Sequence, residues 1–545
     1  MRLIHKAMAG MIGLLVLVSL SPLRAEERGI CSEPVSTTEG LIQGQAVPGH
    51  AACAWKGIPY AAPPKGDLRW RPPQPPPAHA GVFEAFEYGA ACPQDQTLTS
   101  GGEARAFSED CLTLNVWRPQ KPGPYPVMYW IHGGAFRQGS GTYEMSSGAR
   151  LAAERDVVVV TIDYRIGALG FLALPELAQE DEHNSTGNYG ILDQVQGLRW
   201  VQDNIAGFGG DPNNVTIFGQ SAGGMSVCVL LASPLAQGLF HQAVPMSGSC
   251  DSAQTLPNGY EQGRELLKLF GCEGPDPLPC LRKLPAEDFV GKGKNTVVNM
   301  LSGGMGYSPH LDGYVLADQP IALIRQGNSN HVPVMVGHTR DEIKLFTMLF
   351  PGMSLWPRFV VNKLLRFLLG PLTDQVLALY SYSDYKHPVQ LLLTVSNDAF
   401  ISRGFLTAEA LAGQSPVYYY RFDWDDTRFA GKMGAFHGLD EPLVFGALEM
   451  DSRLAKLLAN PKAIRSGRPL SEQMMSYYTN FAKTGDPNGP GLPAWPAYTV
   501  EKRERLYFDN PITLAPLTDQ ELARYRFFAQ YTLEDMLLNK EKEQK

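Results

Sequence analysis

Chemistry is first suggested by the stretch Gly219-Gln220-Ser221-Ala222-Gly223. The apolar, β-branched run Asn214–Phe218 before it predicts a buried parallel strand. After Met225, residues Ser226 to Leu231 read as a buried helix. A G-x-S-x-G at a strand-to-helix junction means more than the bare pattern. The chain must turn sharply, the turning residue is strained, and small neighbours let strand and helix approach. Ser221 is then expected at the carboxyl end of a sheet and the amino end of a helix. There its oxygen is exposed, and unpaired N–H groups can receive negative charge. Ser221 reads as a nucleophile.

A second motif, His132-Gly133-Gly134-Ala135-Phe136, follows a strand predicted over Val127–Ile131. Glycines directly after a strand let the backbone approach a ligand and aim consecutive N–H groups at one spot. Ester hydrolysis needs that, because attack by serine leaves negative charge on the carbonyl oxygen. The amides of Gly133 and Gly134, with that of Ala222, are the expected oxyanion hole. Serine also needs a histidine to take its proton and a carboxylate to orient that imidazole. With a nucleophile of this kind the acid and then the histidine follow in the chain. Gly337-His338-Thr339-Arg340-Asp341-Glu342, after the predicted strand Val332–Val336, offers Asp341 or Glu342 as the acid. Order and placement favour His437, beyond the next strong strand, over His338.

The elements that must position these groups alternate. Strands are predicted at Leu112–Trp117, Val127–Ile131 and Val157–Ile162, and later at Ala243–Met246, Val332–Val336, Val417–Phe422 and Leu506–Phe508. Gly190 to Phe208 carries Leu192, Val195, Leu198, Val201 and Ile205 at helical spacing. Alternating strand and helix is the signature of a parallel sheet covered on both faces. Residues Val35 to Tyr60 read instead as small antiparallel strands, and a proline-rich surface stretch follows to Pro77.

The 545 residues, 44% hydrophobic, suffice for a large core, and no repeat or long linker divides them. Arg2, His5 and Lys6 precede an apolar run from Met8 to Leu20, with a cleavage site after Ala25. Residues 1–25 thus read as a secretory signal, too short for a membrane span, and residues 26–545 as one domain. The signal carries Arg2, Lys6 and Arg24 and no acid, so its loss deepens the net charge of −8 by three. That acidic balance argues against nucleic acid or an anionic membrane as partner. The eight cysteines fit an oxidising compartment, secreted or periplasmic. Cys92 and Cys111 bracket one loop and Cys272 and Cys280 another, each a candidate disulfide; Cys31 and Cys53 could pair across a hairpin. Cys228, on the buried helix after Ser221, reads as a free core thiol, with Cys250 unassigned.

Taken together, the chain resembles the type-B carboxylesterase/lipase family, which also includes cholinesterases, bile-salt-activated lipase and the non-catalytic neuroligins. The matching motifs span nearly the whole mature chain, from Gly57–Pro64 and Ser108–Trp117 through the H-G-G-A-F stretch and Asp163–Leu172. They continue with Gly187–Asp193, Asn204–Gly224, Phe481–Asn488 and Trp495-Pro496. The resemblance implies an α/β-hydrolase fold: a central, mostly parallel sheet flanked by helices, with a small N-terminal antiparallel sheet and helical cap insertions. It implies Ser221 as nucleophile, Gly133, Gly134 and Ala222 as oxyanion donors, Glu342 rather than Asp341 as acid, and His437 as base. It also implies the Cys92–Cys111 and Cys272–Cys280 disulfides, and bracing ion pairs Arg69–Glu109 and Arg165–Asp193. No metal or organic cofactor is expected.

Two departures bear on function. Ile343 stands where the family usually has glycine after the acid. The Cys92–Cys111 loop lacks the tryptophan with which cholinesterases hold a quaternary ammonium, so a choline ester is not the expected substrate. Leu301–Tyr307 is Gly-rich and lies near the expected acyl pocket. Phe346–Leu369 is apolar with Arg358, Lys363 and Arg366 interleaved, and reads as a helical cap in preference to a lipid-seeking lid. Asn184-Ser185-Thr186 and Asn214-Val215-Thr216 have the form of glycosylation sequons. The expectation is a secreted or periplasmic serine esterase acting on a small to medium, apolar or bulky ester. The alternatives are a lipase, a specialist for a natural product or xenobiotic, and a neuroligin-like binding protein, against which the complete Ser221, Glu342 and His437 set argues.

Overall fold

The structure, a computed structural model, describes residues 29–95, 106–292, 306–349, 352–427, 430–449 and 460–531. The expected signal (1–25) and residues 301–305 of the Gly-rich segment lie outside them. Among the described residues an eleven-stranded sheet organises the chain. Its strands are β1 (Gln45–Ala46), β2 (Ala52–Pro59), β3 (Thr113–Pro119), β4 (Tyr125–Ile131), β5 (Val158–Ile162) and β6 (Gly210–Gln220). Beyond these come β7 (Gln242–Met246), β8 (Val334–Thr339), β9 (Val417–Phe422), β10 (Glu504–Phe508) and β11 (Thr513–Pro516). They lie side by side in the order β11-β10-β9-β8-β7-β6-β4-β5-β3-β2-β1. The run from β10 to β5 is parallel throughout, and the pairings outside it are antiparallel. A separate three-stranded sheet joins Val35–Thr37 and Gly40–Gln43 antiparallel, and Gly40–Gln43 to Val82–Glu84 parallel.

Both faces of the central strands β4 and β5 are dry, which is why these strands are almost continuously apolar rather than alternating. In β4 the successive side chains divide between two cores. Val127, Tyr129 and Ile131 enter one, and Met128 and Trp130 the other. The first core is covered by α1 (Tyr189–Asn204) and by α2 (Ala222–Ala232), all eleven of whose residues are buried. The second is covered by α5 (Pro461–Thr484), which contributes Leu470, Met474, Tyr477 and Phe481. Strand β6 starts earlier than the β-branched run suggests, because Gly210 pairs with Tyr125 before the register shifts.

A third, satellite core lies beneath α3 (Arg358–Leu369), which buries Val361, Leu365, Leu368 and Leu369. Helix α4 (Pro388–Leu411) joins this cap to the body. Its Leu391, Leu392 and Val395 pack in the satellite core, and Ile401, Phe405 and Leu406 in the first core. The described part of Phe346–Leu369 is thus anchored as a packed cap. It nevertheless leaves Leu355 and Phe359 84% and 72% exposed.

All eight cysteines are paired: Cys31–Cys53, Cys92–Cys111, Cys228–Cys250 and Cys272–Cys280. The Cys228–Cys250 bond corrects the expectation of a free core thiol. The loop after β7 lies so close to α2 that a β-carbon on Gly248 would stand 2.3 Å from the Gly224 carbonyl carbon. Cys228 is one turn further along α2, and Cys250 two residues along the loop.

Candidate active site

The turn at Ser221 is built by contacts that exclude side chains. A β-carbon on Gly223 would stand 2.0 Å from the carbonyl oxygen of Ile131, and one on Gly219 would stand 2.6 Å from Gly223. Helix α2 therefore starts directly against the ends of β4 and β6. Ser221, caught between, takes φ 59° and ψ −122°, a conformation costly for a non-glycine residue. It is held there because its N–H donates to the Met246 carbonyl (2.9 Å) and its own carbonyl accepts from Met225 N–H (2.9 Å). The Ala222 amide opens the helix and has no intrahelical acceptor.

The glycine loop after β4 is pressed against this turn. A β-carbon on Gly133 would lie 2.5 Å from the Gln220 carbonyl oxygen and 3.1 Å from the Ser221 β-carbon. Gly134, Ala135 and Phe136 all have positive φ, so strain is concentrated in the loop as it is at Ser221. Its supports are specific. The Tyr164 hydroxyl donates to the His132 carbonyl (2.8 Å), and Gly167 N–H to the Phe136 carbonyl (2.6 Å). The His132 ring stacks on Tyr164, and burial pushes its imidazole down to about 4. His132 is thus a neutral wall.

Strand β8 and the loop after β9 supply the other groups. Glu342, fully buried, begins a 3₁₀ turn just beyond β8. Its Oε1 accepts from Thr339 N–H and from the Ser247 hydroxyl, both at 2.7 Å. Its Oε2 takes a short hydrogen bond from His437 Nδ1. Asp341 is turned elsewhere: it pairs with Arg340 and Lys344 and accepts from Ala435 N–H, bracing the loop that carries His437. Ile343 packs its side chain inward, 8% exposed.

His437 lies edge-on to Phe400 (5.7 Å) with its Nε2 3.2 Å from the side-chain nitrogen of Gln220, the residue before Ser221. Burial pushes its imidazole down. The charge and hydrogen bond of Glu342, with the charge of Asp440, outweigh that and leave it above its ordinary value. His338, the other histidine left open by spacing, lies elsewhere. It is buried between the Tyr419 hydroxyl (2.9 Å) and the Thr339 carbonyl, and burial with the Arg505 charge pushes it well down.

Three groups here carry no sequence signal of their own. Ser247 follows β7, the neighbour of β6 in the sheet, and its positive φ turns its hydroxyl onto Glu342. Asp440 lies three residues past His437. Burial, then the Glu342 charge, pushes its carboxyl up to about 7, and the Tyr420 hydroxyl donates to it at 3.3 Å. Gln220 is the variable position of the motif itself. Only the parallel sheet order, which sets β6, β7 and β8 side by side, could have pointed to Ser247.

Behind the site, Arg69–Glu109 and Arg165–Asp193 form forked pairs, the second almost wholly buried. Among the described residues no group of histidines, cysteines and carboxylates could hold a metal ion.

Comparison with known proteins places the chain in a family. The model of the carboxylesterase family matches residues 32–525. The chain is 37% identical over 490 residues to the para-nitrobenzyl esterase of Bacillus subtilis, covering 88% of this chain and 95% of that protein. It is 35% identical to the fumonisin B1 esterase of Sphingopyxis macrogoltabida, covering 85% and 84%. A solved PNB esterase structure superposes with a TM-score of 0.79 at 34% identity, covering 91% of this chain and 99% of that one. A Geobacillus stearothermophilus carboxylesterase does so at 0.78 and 35%, covering 91% and 100%.

Proposed function

The chain belongs to the carboxylesterase family and is a carboxylic-ester hydrolase, and from that premise we propose that it works through an acyl-enzyme on Ser221. In this reading His437 Nε2 takes the proton as the Ser221 oxygen attacks the ester carbonyl. The negative charge that develops is received by the amides of Gly133, Gly134 and Ala222. His437 then passes its proton to the leaving alcohol. Water, deprotonated by the same nitrogen, releases the acid and restores the serine. Glu342 fixes the tautomer and stabilises the imidazolium. No metal or organic cofactor enters.

The observation that carries the reading is the strained Ser221 turn packed against Gly133, with the adjoining Gln220 side chain against an imidazole whose far nitrogen is tied to buried Glu342. Its test is the Ser221→Ala variant, expected to lose turnover and fluorophosphonate labelling while keeping the wild-type thermal midpoint. Turnover retained in a clean preparation would overturn it.

The substrate we propose is a small to medium ester with an apolar or bulky part. The names of two relatives, a para-nitrobenzyl esterase and a fumonisin B1 esterase, fit bulky partners. Initial rates on p-nitrophenyl esters from acetyl to palmitoyl test this, with short chains expected to be fastest. Exposed Leu355 and Phe359 on the cap favour a second reading, a lipase on aggregated long-chain esters. A jump in rate above the substrate's solubility limit would select it. We further propose that residues 1–25 are a cleaved secretory signal and 26–545 one domain, in a secreted or periplasmic protein. Four disulfides fit that compartment. A mature protein beginning at Glu26 is the expected result of amino-terminal sequencing.

A further inference from the structure

The side chain of Gln220 occupies the junction of the three segments that make up the site. It leaves the end of β6 one residue before Ser221 and is 5% exposed. Its Oε1 faces the glycine loop, where a β-carbon on Gly133 would stand 3.3 Å away. Its Nε2 faces the histidine loop, 3.2 Å from His437 Nε2 and 3.6 Å from where a β-carbon on Gly438 would be. That orientation follows from the imidazole. With Nδ1 donating to Glu342, Nε2 of the neutral ring presents a lone pair, and of the two ends of the carboxamide only the N–H can face it favourably. Glu342 from the turn after β8 and Asp440 from the histidine's own loop are acids that favour the imidazolium, and Phe400 of α4 offers only a ring edge.

We propose that Gln220 is a positioning residue for proton transfer: its amide N–H holds the resting His437 neutral and aimed at Ser221, against the pull of the two buried acids. A donor to the lone pair stabilises the ring only while that ring is unprotonated. The bond is long enough to yield when the serine proton moves onto Nε2. Gln220 itself gains and loses no proton. After the transfer the carboxamide can turn over and present Oε1 as acceptor, so one neutral side chain serves both protonation states. A carboxylate at this position would do neither. It has no N–H for the lone pair, and its charge would bind the imidazolium throughout the cycle.

The inference rests on the assignment of His437 as base, and its experiment separates the two. The pH dependence of kcat/KM on p-nitrophenyl acetate is compared for wild type, Gln220→Glu and Gln220→Met. The Glu variant matches Gln in shape, so a folded protein is expected, checked by its thermal midpoint. Its rising limb should move upward by about one unit, lowering kcat/KM about tenfold at a pH below both limbs. The Met variant, which removes the donor without adding charge, should shift the limb in the same direction by less. Its kcat should fall while KM stays. Coincident limbs in wild type and Gln220→Glu would overturn the inference and leave the esterase reading intact. Absence of turnover in wild type, or a wild-type profile without a single rising limb, would remove the assignment on which both rest.

Discussion

Gly133 and Ser221 are packed so closely that a β-carbon on the glycine would lie 3.1 Å from that of the serine and 2.5 Å from the Gln220 carbonyl oxygen. The oxyanion loop and the nucleophile turn therefore register against each other through a contact that only glycine permits. Gly133 has no positive φ, so space and not backbone conformation excludes a side chain. In Gly133→Ala the loop must back away from Ser221. The expected result is a fall in kcat of about 10²–10³, as for losing one oxyanion donor. Overpacking should cost about 1–3 kcal/mol of stability. Wild-type kcat in the folded variant would show that this loop does not hold the oxyanion.

Activity and stability should respond oppositely to pH around His437. The working base is the neutral imidazole, and the balance of burial against Glu342 and Asp440 sets the group above its ordinary value. The rising limb of kcat/KM is therefore expected above the usual histidine range of about 6.5. A folded-state value raised above the unfolded one contributes stability that is complete below the unfolded value. That contribution is lost as pH rises through the folded one. The enzyme should thus lose a little stability over the interval in which it gains activity. Glu342→Gln removes the largest raising influence, so burial should dominate, the limb should drop, and the stability change over that interval should flatten. Rate measured above both limbs should still fall by orders of magnitude, because the imidazolium loses its counter-charge. A limb unmoved in Glu342→Gln would assign the acid elsewhere.

What the sequence reveals depends on how local each constraint is. Ser221 is legible because its turn needs Gly219 and Gly223, which leave no room for side chains beside Ile131. The central strands β4 and β5 are legible because burial on both faces demands nearly unbroken apolar stretches. The choice between His338 and His437 is legible only in part, from their order and placement in the chain. His338 lies in β8 and His437 in the loop beyond β9, and only the structure shows His338 facing Tyr419 while His437 meets Glu342. Asp341 and Glu342 are adjacent acids whose roles are separated by the direction of one turn. Ser247 and Asp440 reach the site through neighbouring strands and loops, a relation that no spacing along the chain expresses.

The Cys228–Cys250 bond belongs with those non-local relations, and it offers a stability test. It ties α2, the helix that begins at the nucleophile, to the loop that carries Ser247. The paired variant Cys228→Ala with Cys250→Ala closes no loop in the unfolded chain and is expected to lose about 2–4 kcal/mol. Because Ser247 supports Glu342, kcat should also drop in the folded variant. Equal thermal midpoints with and without reductant in the wild type would argue against the bond.

The Arg165–Asp193 pair links deep structure to the oxyanion loop, so its removal should affect both. Asp193 is fully buried and grips Arg165 with both oxygens, accepting also from the Arg165 backbone N–H. Two residues beyond Arg165, Gly167 N–H donates to the carbonyl of Phe136, in the loop that carries Gly133 and Gly134. In Asp193→Asn the guanidinium keeps its charge in a dry site without a counter-ion. Loss of one partner from such a pair costs about 3–5 kcal/mol, more than the pair contributes relative to apolar residues of the same shape. Thermal denaturation should register that loss directly. Activity assayed well below the lowered midpoint separates the two consequences. If Arg165 braces the loop, kcat falls there with KM little changed, because the donors are misaimed and not absent. Arg165→Met with Asp193→Leu should then regain stability while kcat stays low, since the brace to Gly167 is not rebuilt. Full activity in the destabilised single variant would make the pair a stability element alone.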